Sequence, residues 1–218
     1  GLIGWDYDTI AASGANRYFF EVPAGMAIPS LSVIATWNRH IQYASVDDEP
    51  VFTPDPLTNS DLALPHASGS LLGSLIDESI STIDNVEHIY QRGLTSGRYA
   101  IELTSDIEED FSLAWDGRAY YLGDANRDGM VNALDLSIVA GNWQNANYLG
   151  WNGGDFNLDG TINALDLSAM ANNWLAGSAG GGVGFHEALT SVGLGGIPEP
   201  SSLALVALGA VTLMRRRR

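Results

Sequence analysis

The first half of the chain, up to about Gly117, is a series of short runs in which apolar and polar residues alternate. The runs are rich in β-branched and aromatic residues, show no helical period, and are separated by turns such as those at Gly25 and Gly69. The clearest predicted strands are residues 17–22, 31–37, 62–64, 87–90, 98–103 and 111–115. Strands at this spacing, without long helices between them, predict a mostly β N-terminal domain over residues 1–118, either a β-sandwich or a small barrel.

Residues 119–176 carry a different pattern, with apolar residues three and four positions apart in two segments. Each segment has an apolar stripe at i, i+3, i+4 and i+7, which predicts a short amphipathic helix. The stripes are Leu136, Val139, Ala140 and Trp143 in the first segment and Leu167, Met170, Ala171 and Trp174 in the second. Two such stripes can pack against each other, so this part of the chain is predicted to be a small α module.

The two helical segments belong to an internal repeat with an offset of 31 residues. The string Gly-Asp-Ala-Asn-Arg-Asp-Gly that begins at Gly123 is echoed by Gly-Asp-Phe-Asn-Leu-Asp-Gly from Gly154, and Asn-Ala-Leu-Asp-Leu-Ser begins at both Asn132 and Asn163. Oxygen-bearing residues at alternate positions, with a glycine at the sixth, are the pattern of an EF-hand-type loop. Each repeat therefore predicts a loop followed by a helix.

Calcium in such a loop takes about six to eight oxygen ligands, supplied from positions 1, 3, 5, 7, 9 and 12. Both repeats have oxygen donors there, and the residue at position 7 contributes its main-chain carbonyl. The predicted ligands are Asp124, Asn126, Asp128, Met130, Asn132 and Asp135 in the first loop and Asp155, Asn157, Asp159, Thr161, Asn163 and Asp166 in the second. One copy alone is equally compatible with an ordinary turn, whereas two copies in register predict two calcium ions.

The last two side-chain ligands of each loop also suit the start of a helix. Asn132 and Asp135 have the spacing of an N-cap residue and its partner three positions later, as do Asn163 and Asp166. Metal binding and helix initiation would therefore use the same side chains. Since three carboxylates per loop would repel one another without the ion, we expect calcium binding and folding to be coupled.

The paired loops, their exit helices and the aspartate rather than glutamate at position 12 resemble a dockerin module. The resemblance implies a calcium-dependent surface that docks onto a cohesin-like domain or another envelope protein. Recognition residues of dockerins commonly lie at loop positions 10 and 11, often with hydroxyl side chains, whereas this chain has Ala133-Leu134 and Ala164-Leu165 there. The two leucines are expected either to form a docking face or to belong to the hydrophobic core of the module.

Four strings in the first half resemble the β-sandwich accessory domains found after secreted bacterial peptidases. They are Gly-Trp-Asp from Gly4, Tyr-Phe-Phe-Glu-Val from Tyr18, Asn-Val-Glu-His-Ile-Tyr from Asn85 and Gly-Arg-Tyr-Ala-Ile from Gly97. The resemblance implies an accessory β-sandwich for residues 1–118.

The C-terminal part of the chain combines a linker-like segment with a tail. Residues 177–196 are rich in small residues at their start and are predicted to be a flexible linker. Residues 197–218 contain Pro-Glu-Pro, an apolar run between Leu203 and Met214, and four final arginines. That order resembles the PEP-CTERM sorting signal of exported bacterial proteins, which implies an apolar C-terminal helix, transient membrane anchoring and removal by a sorting enzyme in the membrane. A polybasic tail that contacts lipid is the alternative.

Charge and residue content narrow the possible functions. The formal net charge of −16 argues against nucleic acid or an anionic membrane surface as the main partner. Because cysteine is absent, disulfides, a thiol nucleophile and a cysteine-ligated zinc site are excluded.

Catalytic patterns are not recognisable in this segment, which is predicted not to be an enzyme. No serine lies in a Gly-x-Ser-x-Gly context, and the histidines have no metal-ligand spacing. The histidines are His40, His66, His88 and His186. The acidic run Glu108-Glu109-Asp110 is interpreted as a solvated turn rather than a pair of glycosidase carboxylates.

These observations predict the non-catalytic C-terminal region of an exported bacterial protein, located in the cell envelope or outside the cell and carrying a calcium-dependent docking module. Because the chain begins with Gly1 and has no signal-like opening, we expect a further N-terminal portion. The alternative is the C-terminal fragment of a secreted hydrolase, a subtilisin-like peptidase or a polysaccharide-degrading glycoside hydrolase, with its catalytic domain upstream. A spacer that calcium only stabilises is the third possibility.

Overall fold

The computed structural model describes residues 2–46, 49–145 and 150–196, and the chain divides into two structural units. The first unit comprises Gly1–Ala24 and Ile28–Ala119, and the second comprises Gly25–Ala27 and Tyr120–Arg218. Within the described residues, every α-helix belongs to the second unit.

Ten antiparallel strands account for most of the described residues before Ala119. In chain order they are β1 (Leu2–Ile10), β2 (Gly14–Val22), β3 (Met26–Trp37), β4 (Ile41–Val46), β5 (Glu49–Pro54), β6 (Ser60–Ser68), β7 (Leu71–Ser79), β8 (Val86–Leu94), β9 (Gly97–Ser105) and β10 (Glu109–Gly117). One sheet has the order β1-β10-β3-β8 and a second has the order β2-β9-β6-β7, while β4 and β5 form a separate hairpin.

Each of the two larger sheets buries one face. Buried residues recur two positions apart along the central strands, which is the period of a strand with one face in the core and the other in solvent. They include Leu31, Val33, Ala35 and Trp37 on β3, Leu62 and Leu64 on β6, Tyr99, Ile101 and Leu103 on β9, and Phe111 and Leu113 on β10. The first unit is therefore a β-sandwich-like domain, as the strand pattern predicts.

All six predicted strands are present, and each extends further than predicted. Four of these ten strands were not predicted, namely β1, β4, β5 and β7. The hairpin of β4 and β5 is exposed at every described position, and β7 is a mostly exposed edge strand. Neither element buries a regular apolar face, so the period that marks a half-buried strand is missing from its sequence.

Strand β1 was missed for a different reason, because its alternation is inverted. The apolar side chains of Ile3, Trp5 and Tyr7 are exposed by 53%, 78% and 60%, whereas Gly4 and Asp6 are half-buried. A Cβ atom on Gly4 would lie 2.6 Å from the Trp115 ring, so only glycine fits beneath that ring. Gly4 and Asp6 thus face the interior, whereas Ile3, Trp5 and Tyr7 face solvent.

The second unit is built from the two repeats. Its elements are the short strand β11 (Tyr120–Tyr121), which pairs with Ala27 and Met26, and the helices α1 (Ala133–Gly141), α2 (Ala164–Asn172) and α3 (Phe185–Ser191). Both predicted amphipathic helices are present. Four residues of their predicted stripes, Leu136, Val139, Leu167 and Met170, are buried, and Trp143 and Trp174 pack against the same core.

The repeats complete each other through matched main-chain hydrogen bonds. Val131 N–H donates to the carbonyl of Ala176 at 3.0 Å, and Leu175 N–H donates to the carbonyl of Val131 at 2.8 Å. Ile162, 31 residues after Val131, makes the equivalent bonds with Asn145 at 3.4 Å and Gln144 at 2.8 Å. Position 8 of each loop is therefore paired with the segment that follows the other repeat's helix.

Part of the predicted linker is structured. Helix α3 lies inside residues 177–196, and its Ala188 and Leu189 are buried in the core of the second unit. The expectation of a flexible linker is wrong for this helix, because a short apolar pair in a small-residue segment provides a contact that composition alone does not reveal. The apolar run between Leu203 and Met214 lies outside the described residues. Within the ranges described, no helix has the length and apolar character needed to cross a membrane.

Candidate functional site

Side-chain oxygens of the first loop accept a series of main-chain hydrogen bonds. Asp124 Oδ1 and Oδ2 accept from the N–H groups of Asp128 at 3.1 Å and Gly129 at 3.0 Å. Asn126 Oδ1 accepts from the N–H of Asp128, and Asp128 Oδ1 accepts from the N–H of Met130, both at 2.9 Å. The side chains at positions 1, 3 and 5 thus each fold back over the residues that follow them, which winds the loop.

The second loop repeats this arrangement with one difference. Asp155 Oδ2 accepts from Gly160 N–H at 3.1 Å, Asn157 Oδ1 from Asp159 N–H at 3.1 Å, and Asp159 Oδ1 from Thr161 N–H at 2.8 Å. The other oxygen of Asp155, Oδ1, is buried and has no hydrogen-bond partner. A buried carboxylate oxygen without a donor destabilises the fold, and a cation beside it would offset that cost.

The aspartate at position 12 holds both ends of the first loop. Asp135 is fully buried, and its Oδ1 accepts from the N–H groups of Ala125 at 3.0 Å and Asn126 at 3.1 Å, while Oδ2 accepts from Asn132 N–H at 2.9 Å. Asn132 Oδ1 in turn accepts from Leu134 N–H at 2.8 Å. These two residues form the predicted capping box of α1.

The second loop has the same cap. Asp166 Oδ1 accepts from Phe156 N–H at 2.8 Å and Asn157 N–H at 3.4 Å, and Oδ2 accepts from Asn163 N–H at 2.9 Å. Asn163 Oδ1 accepts from Leu165 N–H at 2.8 Å and caps α2. The prediction that Asn and Asp initiate both helices is confirmed.

Two positions of each loop have left-handed backbone. Gly129 and Gly160 at position 6 have φ of +89° and +88°, where glycine carries no steric cost. Arg127 and Leu158 at position 4 have φ of +62° and +57°, which costs a non-glycine residue about 1 kcal/mol or more. Position 4 was not foreseen as strained, since neither arginine nor leucine marks such a turn.

Burial sets the electrostatics of the loops. It raises the pKa of Asp124, Asp135 and Asp166 above the ordinary value of 3.8, and the neighbouring carboxylates raise it further, while main-chain N–H donors act in the opposite direction. Negative charge is therefore held where water solvates it poorly. A cation beside these carboxylates would favour their charged form.

In each loop, two of the predicted ligand side chains are hydrogen-bonded to each other. Asn126 Nδ2 donates to Asp128 Oδ2 at 2.9 Å, and Asn157 Nδ2 makes the same bond to Asp159. Within the described ranges, no three histidine, aspartate or glutamate side chains are close enough together to hold a metal ion as they are placed. The predicted ligand set of each loop also includes asparagine side-chain oxygens and a main-chain carbonyl oxygen. Their oxygen-only donor set and the unpartnered oxygen of Asp155 fit a hard cation such as calcium.

The residues at loop position 11 are on the surface. Leu134 is 63% exposed and Leu165 is 62% exposed, although both lie in the first turn of a capped helix. The alternative that they belong to the hydrophobic core is therefore wrong. The core positions are taken by Leu136 and Leu167, which lie two residues further along and on the opposite side of each helix.

Sequence reasoning missed the contribution of Trp151. Its indole N–H donates to the main-chain carbonyl of Asp124 at 2.6 Å, and its ring meets Phe156 edge to face with 5.2 Å between the ring centroids. Trp151 lies in a short 3₁₀ turn (Trp151–Gly153) just before the second loop, and it is buried. The sequence signal for Trp151 was a single tryptophan between glycines. That signal does not indicate a contact with the other repeat.

The residues considered for catalysis have structural contacts. Glu109 is buried on β10 and accepts hydrogen bonds from Thr58 Oγ1 at 2.7 Å and from His40 Nε2 at 2.9 Å. The interpretation of Glu109 as part of a solvated turn is wrong, because the strand period turns it inward. His88 lies beside Ser32, with 2.9 Å between its Nε2 and the serine Oγ, and His66 lies beside the Tyr99 ring.

Comparison with known proteins identifies the C-terminal segment. Residues 196–218 match the PEP-CTERM protein-sorting motif, which confirms the sorting signal predicted for the tail. The motif marks an exported protein that is sorted to the cell envelope through recognition by a membrane sorting enzyme. No dockerin family model matches residues 119–176, and no curated protein matches the chain.

Solved structures with a similar β arrangement each cover 53% of this chain. The pre-peptidase C-terminal domain of collagenase from Bacillus anthracis is 9% identical, with a TM-score of 0.36 and 90% of its own length covered. The Aeromonas hydrophila periplasmic inhibitor of g-type lysozyme and the Yersinia pseudotuberculosis-derived mitogen are both 12% identical, with TM-scores of 0.33 and 86% of each chain covered. These likenesses are weak and assign no function.

Proposed function

We propose that residues 119–176 bind two calcium ions in a dockerin-like module that docks an exported, envelope-sorted protein onto a cohesin-like or other envelope protein. The observation that carries the metal assignment is the buried Oδ1 of Asp155, which has no hydrogen-bond partner in a loop otherwise closed by main-chain donors. The first loop has the same residues at positions 1, 3, 5, 9 and 12 and a similar winding, so both loops are assigned the same ligand class.

The residues that would hold the ions are those at positions 1, 3, 5, 7, 9 and 12 of each loop. They are Asp124, Asn126, Asp128, Met130, Asn132 and Asp135, and Asp155, Asn157, Asp159, Thr161, Asn163 and Asp166. When bound, calcium supplies positive charge that offsets the burial of several carboxylates. Asp135 and Asp166 also cap α1 and α2, so the protein groups that bind the ion are the same groups that begin the helices.

Docking is supported by the matched exposure of Leu134 and Leu165. Large apolar side chains on the surface of a rigid capped helix are typical of contact residues in protein interfaces. The two leucines occupy equivalent positions of the repeats, so the module presents the same residue twice. Calcium is therefore proposed as a condition for docking, because the loops and the first helical turns share Asn132, Asp135 and their counterparts.

Calcium titration of the full chain tests the metal assignment. Metal-free protein should bind two ions by calorimetry, and the far-ultraviolet helical signal should increase as calcium is added. Asp124→Ala should remove one site and the pair Asp124→Ala with Asp155→Ala should remove both. The exposed pair Glu78→Ala with Asp84→Ala removes the same charge from the first unit and should change neither. Absence of heat and of helix gain at millimolar calcium would refute the loop assignment.

Pull-down from native envelope extract, with and without a calcium chelator, tests docking. A partner should be retained only with calcium, and Leu134→Ala combined with Leu165→Ala should release it without changing calcium binding. If the chain binds two ions but retains nothing in any extract, or if the leucine variants retain the partner equally, calcium serves only to stabilise the module.

A further inference from the structure

The outer face of the β1-β10-β3-β8 sheet carries a groove with aromatic residues along one side. Trp5 and Tyr7 on β1 lie opposite Ala114 and Ser112 on β10, and these two small residues lie opposite Ile34 and Thr36 on β3. Large side chains therefore flank a strand whose outward side chains are short. The resulting groove has a volume of about 220 Å³ and is lined by Trp5, Tyr7, Ile34, Thr36, Ser112 and Ala114.

These two aromatic rings are exposed although their surfaces are largely apolar. Trp5 is 78% exposed and Tyr7 is 60% exposed, while the polar Asp6 between them faces the interior and accepts a hydrogen bond from Tyr18 Oη at 2.6 Å. Asp6 thereby fixes which face of β1 points outward. The two rings are held on a paired strand about 7 Å apart, the rise of two strand residues, and their position does not depend on a loop.

Polar groups along the groove are mainly hydrogen-bond acceptors. Asp110 on β10 accepts from Thr9 Oγ1 at 2.6 Å and from Tyr7 Oη at 3.4 Å, and its carboxylate retains further acceptor capacity. Asp116, also on β10, is exposed and lies on the same face of the strand as Ala114 and Ser112. Strands β1, β3 and β10 contain no lysine or arginine. A ligand suited to this face therefore supplies hydrogen-bond donors and carries no negative charge.

Size and hydrogen bonding separate the candidate ligands. The distance from β1 to β3 is two strand spacings, about 10 Å, which is wide enough for one linear chain. An extended peptide lying over β10 gains little, because the main-chain groups of β10 pair with β1 and β3. A sugar ring has an apolar face that can stack on an aromatic ring and a rim of hydroxyl donors.

We propose that this groove binds a neutral glycan chain. Trp5 and Tyr7 provide the stacking surface, Ala114 and Ser112 leave room above β10, and Asp110 accepts a hydrogen bond from a glycan hydroxyl. The first unit then holds the protein on a polysaccharide through a face that is separate from the calcium loops.

Affinity electrophoresis of the full chain tests the proposal. The protein is run in native gels that contain β-1,3-glucan, galactomannan, xyloglucan or arabinoxylan as neutral probes, or alginate as an acidic one. At least one neutral polysaccharide should retard the protein. Trp5→Ala should weaken that binding at least about tenfold, as expected for loss of an aromatic residue that the bound ligand covers. Ala114→Leu should weaken the binding by filling the groove while leaving both rings in place.

Tyr43→Ala is the matched control, since Tyr43 is an exposed aromatic residue of the same unit, on the separate β4-β5 hairpin, and is 66% exposed. It should leave retardation unchanged, and all variants should melt at the temperature of the parent chain. Four neutral polysaccharides without retardation would overturn the proposal. So would equal retardation of the parent and Trp5→Ala proteins, binding to alginate alone, or saturable binding of a proline-rich peptide in place of the glycans.

Discussion

Replacement by alanine of Gly123 or Gly154, the glycines that precede the two loops, should destabilise the second unit. A Cβ atom on Gly123 would lie 2.9 Å from Met170 Cα on α2, and one on Gly154 would lie 2.7 Å from Val139 Cγ2 on α1. The two contact residues are themselves 31 positions apart, so each loop approaches the helix of the other repeat at an equivalent point. Both glycines also have left-handed backbone, with φ of +110° and +102°.

The cost of each substitution has two parts. A side chain in left-handed backbone costs about 1–2 kcal/mol, and forcing a methyl group into a packed helix contact costs about 1–3 kcal/mol. Together they give a loss of roughly 2–5 kcal/mol in the free energy of unfolding, which lowers the melting temperature of a unit of this size by at least about 8 °C. Gly123→Ala and Gly154→Ala should be affected alike because their surroundings match.

The assay is thermal unfolding of the full chain with calcium present, followed by the far-ultraviolet helical signal. This signal reports the second unit, since the helices of the described residues lie there. Gly141→Ala is the control, because Gly141 lies at the end of α1 with nothing within 4 Å of its Cβ position. It should be neutral or stabilise the unit by up to about 1 kcal/mol. If Gly123→Ala melts together with the parent protein, the close approach of loop and helix is incorrect.

Two further predictions concern single side chains. Leu136→Ala removes a fully buried residue and should lower the free energy of unfolding, measured by denaturant titration, by about 2–5 kcal/mol. Leu134→Ala, at a 63% exposed position, should change the free energy of unfolding by less than about 0.5 kcal/mol. Equal effects would mean that the helix faces are misassigned. Burial and the hydrogen bond to Asp6 raise the pKa of Tyr18 above its ordinary value of 10.0, so folding favours its neutral form, and that stabilisation is lost as pH rises above about 10. An alkaline ultraviolet titration of the native protein should therefore show a tyrosine that ionises above the ordinary pH range, and Tyr18→Phe should remove that step. Identical titration curves for the two proteins would contradict the burial.

The winding of the two loops and the caps of their helices were predictable because their chemistry is local. Position 1, the turn glycine, the N-cap and the helix stripe all lie within about one loop and one helix of sequence, and each has its own residue type. Asn132 and Asp135 form the capping box that their spacing predicts, and Leu136 and Val139 are buried as their period predicts. Because these signals are local, the two copies of the sequence repeat form two copies of the same loop and helix.

Contacts between distant residues were not predictable. Trp151 reaches the carbonyl of Asp124 across 27 residues, and Glu109 is buried against His40 across 69 residues. The outward orientation of Trp5 depends on Trp115 and Tyr18, which lie on other strands. An apolar residue is ordinarily assigned to the core, so an inverted strand is not recognisable from its own sequence.

The amino-acid sequence by itself determines the two loops, the caps of their helices, the strand-rich first unit and the sorting segment, because neighbouring residues carry each of these signals. Tertiary structure alone decides that Leu134 and Leu165 are exposed, that α3 packs into the core of the second unit, and that β1 turns its aromatic rings outward. These features depend on which distant surface covers a residue. Periodicity specifies the face of an element, whereas only packing specifies what lies against that face.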